Sequence, residues 1–277
     1  MSQGTRANPA IIGHHDSGAL NQKPFFSIGV TTYNRPELLK QTLLSITRQT
    51  FTDFEVIVGN DHVPEPLSPD LLGINDPRIR FENHPRNLGE AKNMNTLLDI
   101  SRGRYFTWQC DDDLYAPDFL EQMFKTLDSF DFPSCCFSSY KLIYGTSFPE
   151  IGRSVSTQGR ILPGKKFLRL YWSGNLDAMG CTGVYQKKYL QQLGGVKCFA
   201  DIHHPLYSEH LLLVQAGLQE KIAHIDAPLV LYRVHKDAWG CGANELLFYQ
   251  QAGEGLVRES IPVLSSLELQ GDFKKNI

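Results

Sequence analysis

No apolar run in this chain approaches the length of a membrane-spanning helix. Positive charge is not in excess either. The formal net charge is −3, so the sequence lacks the electrostatic footprint of a general nucleic-acid binder, although a local basic patch stays compatible with it. None of the six cysteines (Cys110, Cys135, Cys136, Cys181, Cys198, Cys241) forms a C-x-x-C pair, and several sit in apolar runs. That pattern points to reduced thiols in a cytoplasmic protein, not to a disulfide frame or a zinc site. The first 24 residues have no apolar stretch of signal-peptide length and read as a loose polar leader, with His14 and His15 solvated in it. Internal repeats and low-complexity segments are also missing. What remains is ordinary for a globular protein: 277 residues, 42% hydrophobic and 21% charged, enough for one large α/β domain or two small ones.

Strands and helices alternate through about residue 130. "FFSIGVTTYN" (25–34) is a buried strand, and Pro36 opens a helix at the first helical position. "FEVIVGND" (54–61) is a second buried strand. A Pro-rich loop with a short helix leads to a third, "RIRFENH". "GEAKNMNTLLDISRG" is a helix expected to close near Gly103. "RYFTWQC" is a fourth strand, and Pro117 starts the helix "PDFLEQMFKTLDSF". Such alternation predicts a mainly parallel sheet flanked by helices, with ligands bound beyond the carboxyl ends of the strands. The second half is less regular. It offers a strand at "SCCFSSYKLIY", a helix at "KKFLRLYWSGN", strand and helix in "CTGVYQKKYLQQLGGV", and the apolar helix "SEHLLLVQAGL". "KIAHIDAPLVLYRVH" suggests two short strands with a turn at Ala227-Pro228. "KDAWGCGAN" reads as a mobile loop, and an amphipathic segment from 245 to about 258 as a helix.

Three consecutive aspartates, Asp111, Asp112 and Asp113, follow the fourth strand. Helix capping before Pro117 accounts well for one of them and poorly for three. A divalent cation bridging the protein to a phosphate accounts for the set, because Mg²⁺ and Mn²⁺ prefer oxygen ligands. At the ends of the first two strands, Thr31, Thr32 and Tyr33 could line a shelf for a flat ligand, and Asp61 could accept hydrogen bonds from a base or ribose. The cluster His203, His204, Glu209 and His210 lacks the spacing of zinc hydrolase motifs. Tyr171, Trp172, Asn175 and Asp177 form either an acceptor wall or the end of an amphipathic helix.

"SIGVTTYNRPELLKQTLLSITRQTFTDFEVIVGND", "NLGEAKNMN" and "GRYFTWQCDDDLYAPDFLEQM" together resemble the nucleotide-sugar-binding half of glycosyltransferase family 2. The resemblance covers about residues 25–125 and continues more weakly to about 236. It implies a GT-A-like, Rossmann-type fold with a mixed, mainly parallel sheet. It also implies an inverting enzyme that moves a sugar from a nucleotide-diphospho-sugar to a hydroxyl acceptor. By the same resemblance Thr32, Tyr33 and Arg35 contact the nucleotide, and Asp61 binds the base, uracil or thymine. Lys92 lies near the diphosphate and Asp111 at the ribose. Asp112, Asp113 and His235 belong to the site of Mg²⁺ or Mn²⁺, with Asp112 the ligand. The implied partners are the donor and a saccharide or lipid-linked saccharide, with peripheral membrane contact left open. The implied layout is a leader (1–24), a donor half (25–130), an acceptor and catalytic half (131–240) and a partly helical tail (241–277).

The chain departs from the family pattern at three places. Cys110 stands where the family often has the first aspartate of its acidic string, and Asn60 replaces a frequent aspartate. The general base, usually Asp at the start of a helix, falls on Glu209, or on His210 if the register shifts by one. At a helix N-terminus Glu209 is expected to be ionised and only weakly basic. Two other readings compete. A sugar-phosphate nucleotidyltransferase would need a glycine-rich loop after the first strand, and "TTYNRP" has no glycine. A non-catalytic nucleotide-sugar-binding module would tolerate the altered base motif.

Overall fold

The structure is a computed structural model, and it describes residues 23–154, 158–199, 204–236 and 246–269. His14, His15, Asp201, His203, Cys241 and nearly all of the predicted 236–244 loop lie outside the described residues.

The amino-terminal half builds β1 (Phe26–Thr32), α1 (Pro36–Thr47), β2 (Phe54–Asn60), α2 (Pro69–Leu72), β3 (Ile79–Asn83), α3 (Glu90–Ile100) and β4 (Tyr105–Cys110). β1 pairs in parallel with β2 on one side and β4 on the other, and β2 pairs in parallel with β3. β1 and β2 are buried on both faces, which is why they read as continuous apolar runs without alternation. The register places Thr32 beside Asn60, and Thr31 beside Cys110. Three strands therefore end at one level, and the polar residues after each share one rim.

The second half continues the same sheet with β5 (Leu114–Tyr115), α4 (Phe119–Ser129), β6 (Cys135–Tyr144), β7 (Arg160–Leu162), α5 (Gly164–Trp172), β8 (Val184–Gln186), α6 (Lys187–Leu193), α7 (Ser208–Ala216), β9 (Ile222–Val234) and α8 (Leu246–Ser266). The strand order is β3-β2-β1-β4-β8-β6-β9-β5, with β7 on β9. β8 is antiparallel to both β4 and β6, so the sheet is mixed. Two apolar clusters hold helices on the two faces. One joins Leu39, Leu43 and Phe119 to the strands, and the other joins Leu97, Phe167 and Leu212 to them. Among the described residues no helix is long and apolar enough to cross a membrane.

Four local expectations change. The segment read as two strands around Ala227-Pro228 is one strand, β9. Pro228 cannot donate to the ladder, and it sits at a register shift against β6 next to Ser139. α3 ends at Ser101 in an extended conformation, not at Gly103. Gly103 is needed for close packing, since a Cβ there would lie 2.7 Å from the Ser27 backbone nitrogen. α4 starts at Phe119, two residues after Pro117. The tail helix runs on to Ser266 with Pro262 inside it.

Candidate active site

The rim beyond β1, β2 and β4 gathers most of the residues singled out in the sequence. Arg35 precedes α1 and reaches across β1 to the acidic turn. Its Nη2 lies 2.6 Å from Asp111 Oδ1, and its Nη1 donates to Asp112 Oδ2 at 3.0 Å. Thr32 Oγ1 donates to Asp111 Oδ2 at 2.6 Å. Asp111 is fully buried, and its pKa is pushed up to about 7, first by burial, with Arg35 opposing and Asp112 adding. A buried carboxylate paired with its own chain in this way contributes to the shape of the turn.

None of the three aspartates caps α4. The N-cap residue is Asp118, whose carboxylate instead accepts from Ser154. Asp113 Oδ1 accepts from the Arg233 backbone N–H at 2.7 Å, while Asp113 Oδ2 is buried without a hydrogen-bond partner. Burial raises the Asp113 pKa well above the carboxylate range, and the neighbouring Asp112 adds to that. Cys110 Sγ and one oxygen each of Asp112 and Asp113 lie within 4.8 Å of one another. Two carboxylates, one with a partnerless buried oxygen, suit a divalent cation. His235 lies beside this cluster, with Nε2 3.1 Å from Asp112 Oδ2. It is placed to orient Asp112.

Arg233 is a buried residue of the rim that sequence reasoning passed over. An arginine in a strand reads as solvent-facing, yet Arg233 is 2% exposed. Its Nε donates to the Asp112 carbonyl at 2.7 Å, Nη2 to Gln41 Oε1, and Nη1 to the Gly145 and Ser147 carbonyls. It fastens the acidic turn to α1, to β9 and to the loop after β6. The only hint in the sequence is its place in "YRVH", two residues before His235.

On the β2 side, Asp61 is buried, and its Oδ1 accepts from the Leu88 N–H at 3.0 Å. Asn60 fixes the adjoining loop through the carbonyls of His62 and Glu65 and the side chain of Asn83. Thr32, Arg35, Asn60, His62, Glu65 and Leu67 line a pocket there. Tyr33 is half-exposed and meets His62 edge-to-face, with centroids 5.2 Å apart. Lys92 is exposed in the first turn of α3.

Glu209 sits in the first turn of α7, behind Tyr207, a non-glycine residue at φ 59°. A left-handed conformation at such a residue is a strained feature of the kind found at functional sites. Burial raises the Glu209 pKa, with the adjacent His210 opposing. This direction runs against the weakly basic carboxylate expected at a helix N-terminus, and its cause is desolvation. His210 Nδ1 is engaged by Tyr171 OH at 2.9 Å. The Tyr232 hydroxyl is pushed up chiefly by burial, with Asp113, Cys110, Glu209 and Asp112 adding. His204 is held elsewhere, with Nδ1 2.7 Å from Glu90. Of the acceptor-wall residues, Tyr171 faces this region, whereas Asn175 bonds to Ser173 and the Asp177 carbonyl takes His224.

Fold and rim together define an α/β protein built on a mixed sheet, with an acidic cluster at the strand ends. The family model "Glycosyl transferase family 2" matches residues 27–194, and the chain belongs to that family. It is 34% identical over 111 residues to an uncharacterized glycosyltransferase of Methanocaldococcus jannaschii, covering 39% of this chain and 38% of that one. It is 28% identical over 136 residues to an uncharacterized glycosyltransferase of Haemophilus influenzae, covering 48% and 42%. The matches thus span well under half the length of these relatives. Among solved structures, S. aureus TarS 1-349 in complex with UDP-GlcNAc superposes with a TM-score of 0.62 at 16% identity, over 87% of this chain and 72% of that one. That likeness is one of fold.

Proposed function

We propose that the chain is an inverting glycosyltransferase that takes a UDP- or dTDP-linked sugar and acts with Mg²⁺ or Mn²⁺. The observation that carries this reading is the meeting of Thr32, Arg35, Asp61 and Asp111–Asp113 on one rim. The named ligand of TarS, a UDP-sugar on the same fold, supports the same donor class.

In this reading Asp61 accepts the ring N–H of the base, and Tyr33 and His62 cover its face. Arg35 and Lys92 face the diphosphate. Asp112 and Asp113 hold the divalent cation, and His235 and Arg233 keep Asp112 in place. When bound, the cation supplies charge neutralisation for the departing diphosphate. Glu209 takes the proton of the acceptor hydroxyl as its oxygen attacks the anomeric carbon. Attack opposite the leaving group inverts that centre, through a transition state of oxocarbenium character. Residues 25–130 form the donor half and 131–240 the acceptor half, in a cytoplasmic enzyme.

A panel of nucleotide-sugars with Mn²⁺, read first by thermal shift and then by transfer to saccharide acceptors, tests the proposal. UDP- or dTDP-sugars should stabilise the protein, and the transferred sugar should show an inverted anomeric signal by NMR. Stabilisation by none of the panel, or a product of retained configuration, contradicts it.

A further inference from the structure

The acidic turn carries a sulfur donor as well as oxygens. Cys110 closes β4, is partly exposed, and has its Sγ within 4.8 Å of a carboxylate oxygen of both Asp112 and Asp113. Typical bonds of about 2.3 Å to sulfur and 2.0–2.2 Å to oxygen put neighbouring donors of a tetrahedral shell roughly 3.5 Å apart. Three donors within 4.8 Å of one another therefore need only side-chain adjustment to share a single ion. Asp113 Oδ2 is an independent sign of a missing partner, since its residue is 1% exposed and that oxygen has no hydrogen bond. The other Asp113 oxygen is fixed by Arg233 N–H, so the carboxylate cannot turn to find a partner elsewhere.

We infer that Cys110 Sγ is a direct ligand of the divalent cation held by Asp112 and Asp113, which of the two ions proposed above favours Mn²⁺ over Mg²⁺ and admits thiophilic Co²⁺ as a probe. The inference rests on the reading that this turn holds a divalent cation. A thiolate is a soft ligand, whereas Mg²⁺ demands an oxygen octahedron. Ligation forms the sulfur–metal bond and releases the thiol proton to solvent, so no oxidant or reductant takes part.

Co²⁺ is the probe, added to the full chain alone and together with UDP. Wild-type protein should show a near-ultraviolet sulfur-to-cobalt charge-transfer band. Cys110→Ala should lose the band, keep its far-ultraviolet circular dichroism and bind Co²⁺ at least about tenfold more weakly, the scale on which metal sites respond to loss of a supporting group. Cys110→Asp should lose the band and shift preference toward Mg²⁺ in competition titrations. Should Cys110→Ala not fold, Cys110→Ser replaces it with the same expected outcome. Co²⁺ binding that Asp112→Asn abolishes, but that shows no band in wild type, overturns the thiol ligand and leaves the cation site standing. A band that survives in Cys110→Ala also overturns it, by assigning the sulfur to another cysteine. Failure of Co²⁺, Mn²⁺ and Mg²⁺ to bind wild type in either arm overturns both readings.

Discussion

Each acid at the rim is held differently by its surroundings. Asp112 is only partly buried, at 13% side-chain exposure, and shares Oδ2 with Arg35 and His235. Asp112→Asn should remove most metal-dependent nucleotide binding in a calorimetric titration while the melting profile stays cooperative. Unchanged metal dependence would remove Asp112 from the site. Asp111→Asn should act mainly on the turn, since Asp111 spends both oxygens on Thr32 and Arg35. Glu209→Gln should retain donor binding and lose transfer by about two to four decades, the usual scale for a positioned acid–base group. The raised Glu209 pKa adds a pH signature. The base works only when deprotonated, so kcat should rise with pH through a value above that of an ordinary glutamate. The stability linkage runs the other way. A folded pKa above the unfolded one means that stability is fully present below the unfolded value and is lost as pH rises through the folded one. Glu209→Gln should flatten that part of a melting-temperature-against-pH curve, and an unchanged slope would place the proton elsewhere.

The strands and helices that carry these residues were visible in the sequence to different degrees. β1, β2 and β4 announce themselves, because a strand buried on both faces must be apolar and β-branched throughout, and their polar ends mark the rim. β5 and β7 have two or three residues each and leave too short a pattern to recognise, whereas the equally short β8 shows in "CTGVYQ" ahead of its helix. β9 hides its continuity behind Pro228, since the register shift that accommodates the proline is a property of its partner strand as much as of β9. Glu209 could be found from its place at a helix start, but the means that holds α7 in position could not. A Cβ on Gly180 would lie 2.0 Å from the Glu209 carbonyl oxygen, so only glycine lets the chain before β8 pass the helix start. Gly180→Ala should push α7 back, at a cost of about 1–3 kcal/mol as for other overpacked sites. Transfer should fall by more than UDP binding does. Equal losses in both would show that the glycine serves the whole fold and not the base.

Across the whole molecule, the two ends of the parallel strands carry different kinds of polar group. At the amino ends, Glu55 is 3% exposed and accepts from Ser27 Oγ, the Arg102 N–H and Arg102 Nε, while Ser27 Oγ also takes the Gly103 N–H. This network ties β1, β2 and the start of β4 together far from the rim. Burial works against the Glu55 charge, yet the bonds from Ser27 and Arg102 outweigh it and hold its pKa below the ordinary value. A depressed folded pKa contributes stability that is present above the unfolded pKa and is lost as pH falls through the folded one. Glu55→Gln should cost about 1.5–3 kcal/mol at neutral pH, as for a buried hydrogen bond to a charged group. The deficit should shrink as pH drops below the unfolded glutamate value, and nucleotide binding should not change. At the carboxyl ends the arrangement is opposite. Buried Asp113 keeps one oxygen unpaired, and Glu209 is held in a desolvated place that raises its pKa. Both are costly to folding, and in the proposed function they serve a site that receives a cation and a proton. The measurement that bears most directly on the account is calorimetric titration of UDP into the full chain with and without Mn²⁺, repeated on Asp61→Ala and Asp112→Asn. The account predicts Mn²⁺-dependent UDP binding, weakened about ten- to a hundredfold by Asp61→Ala and stripped of its Mn²⁺ dependence by Asp112→Asn. UDP binding indifferent to Mn²⁺ and to both substitutions would contradict it.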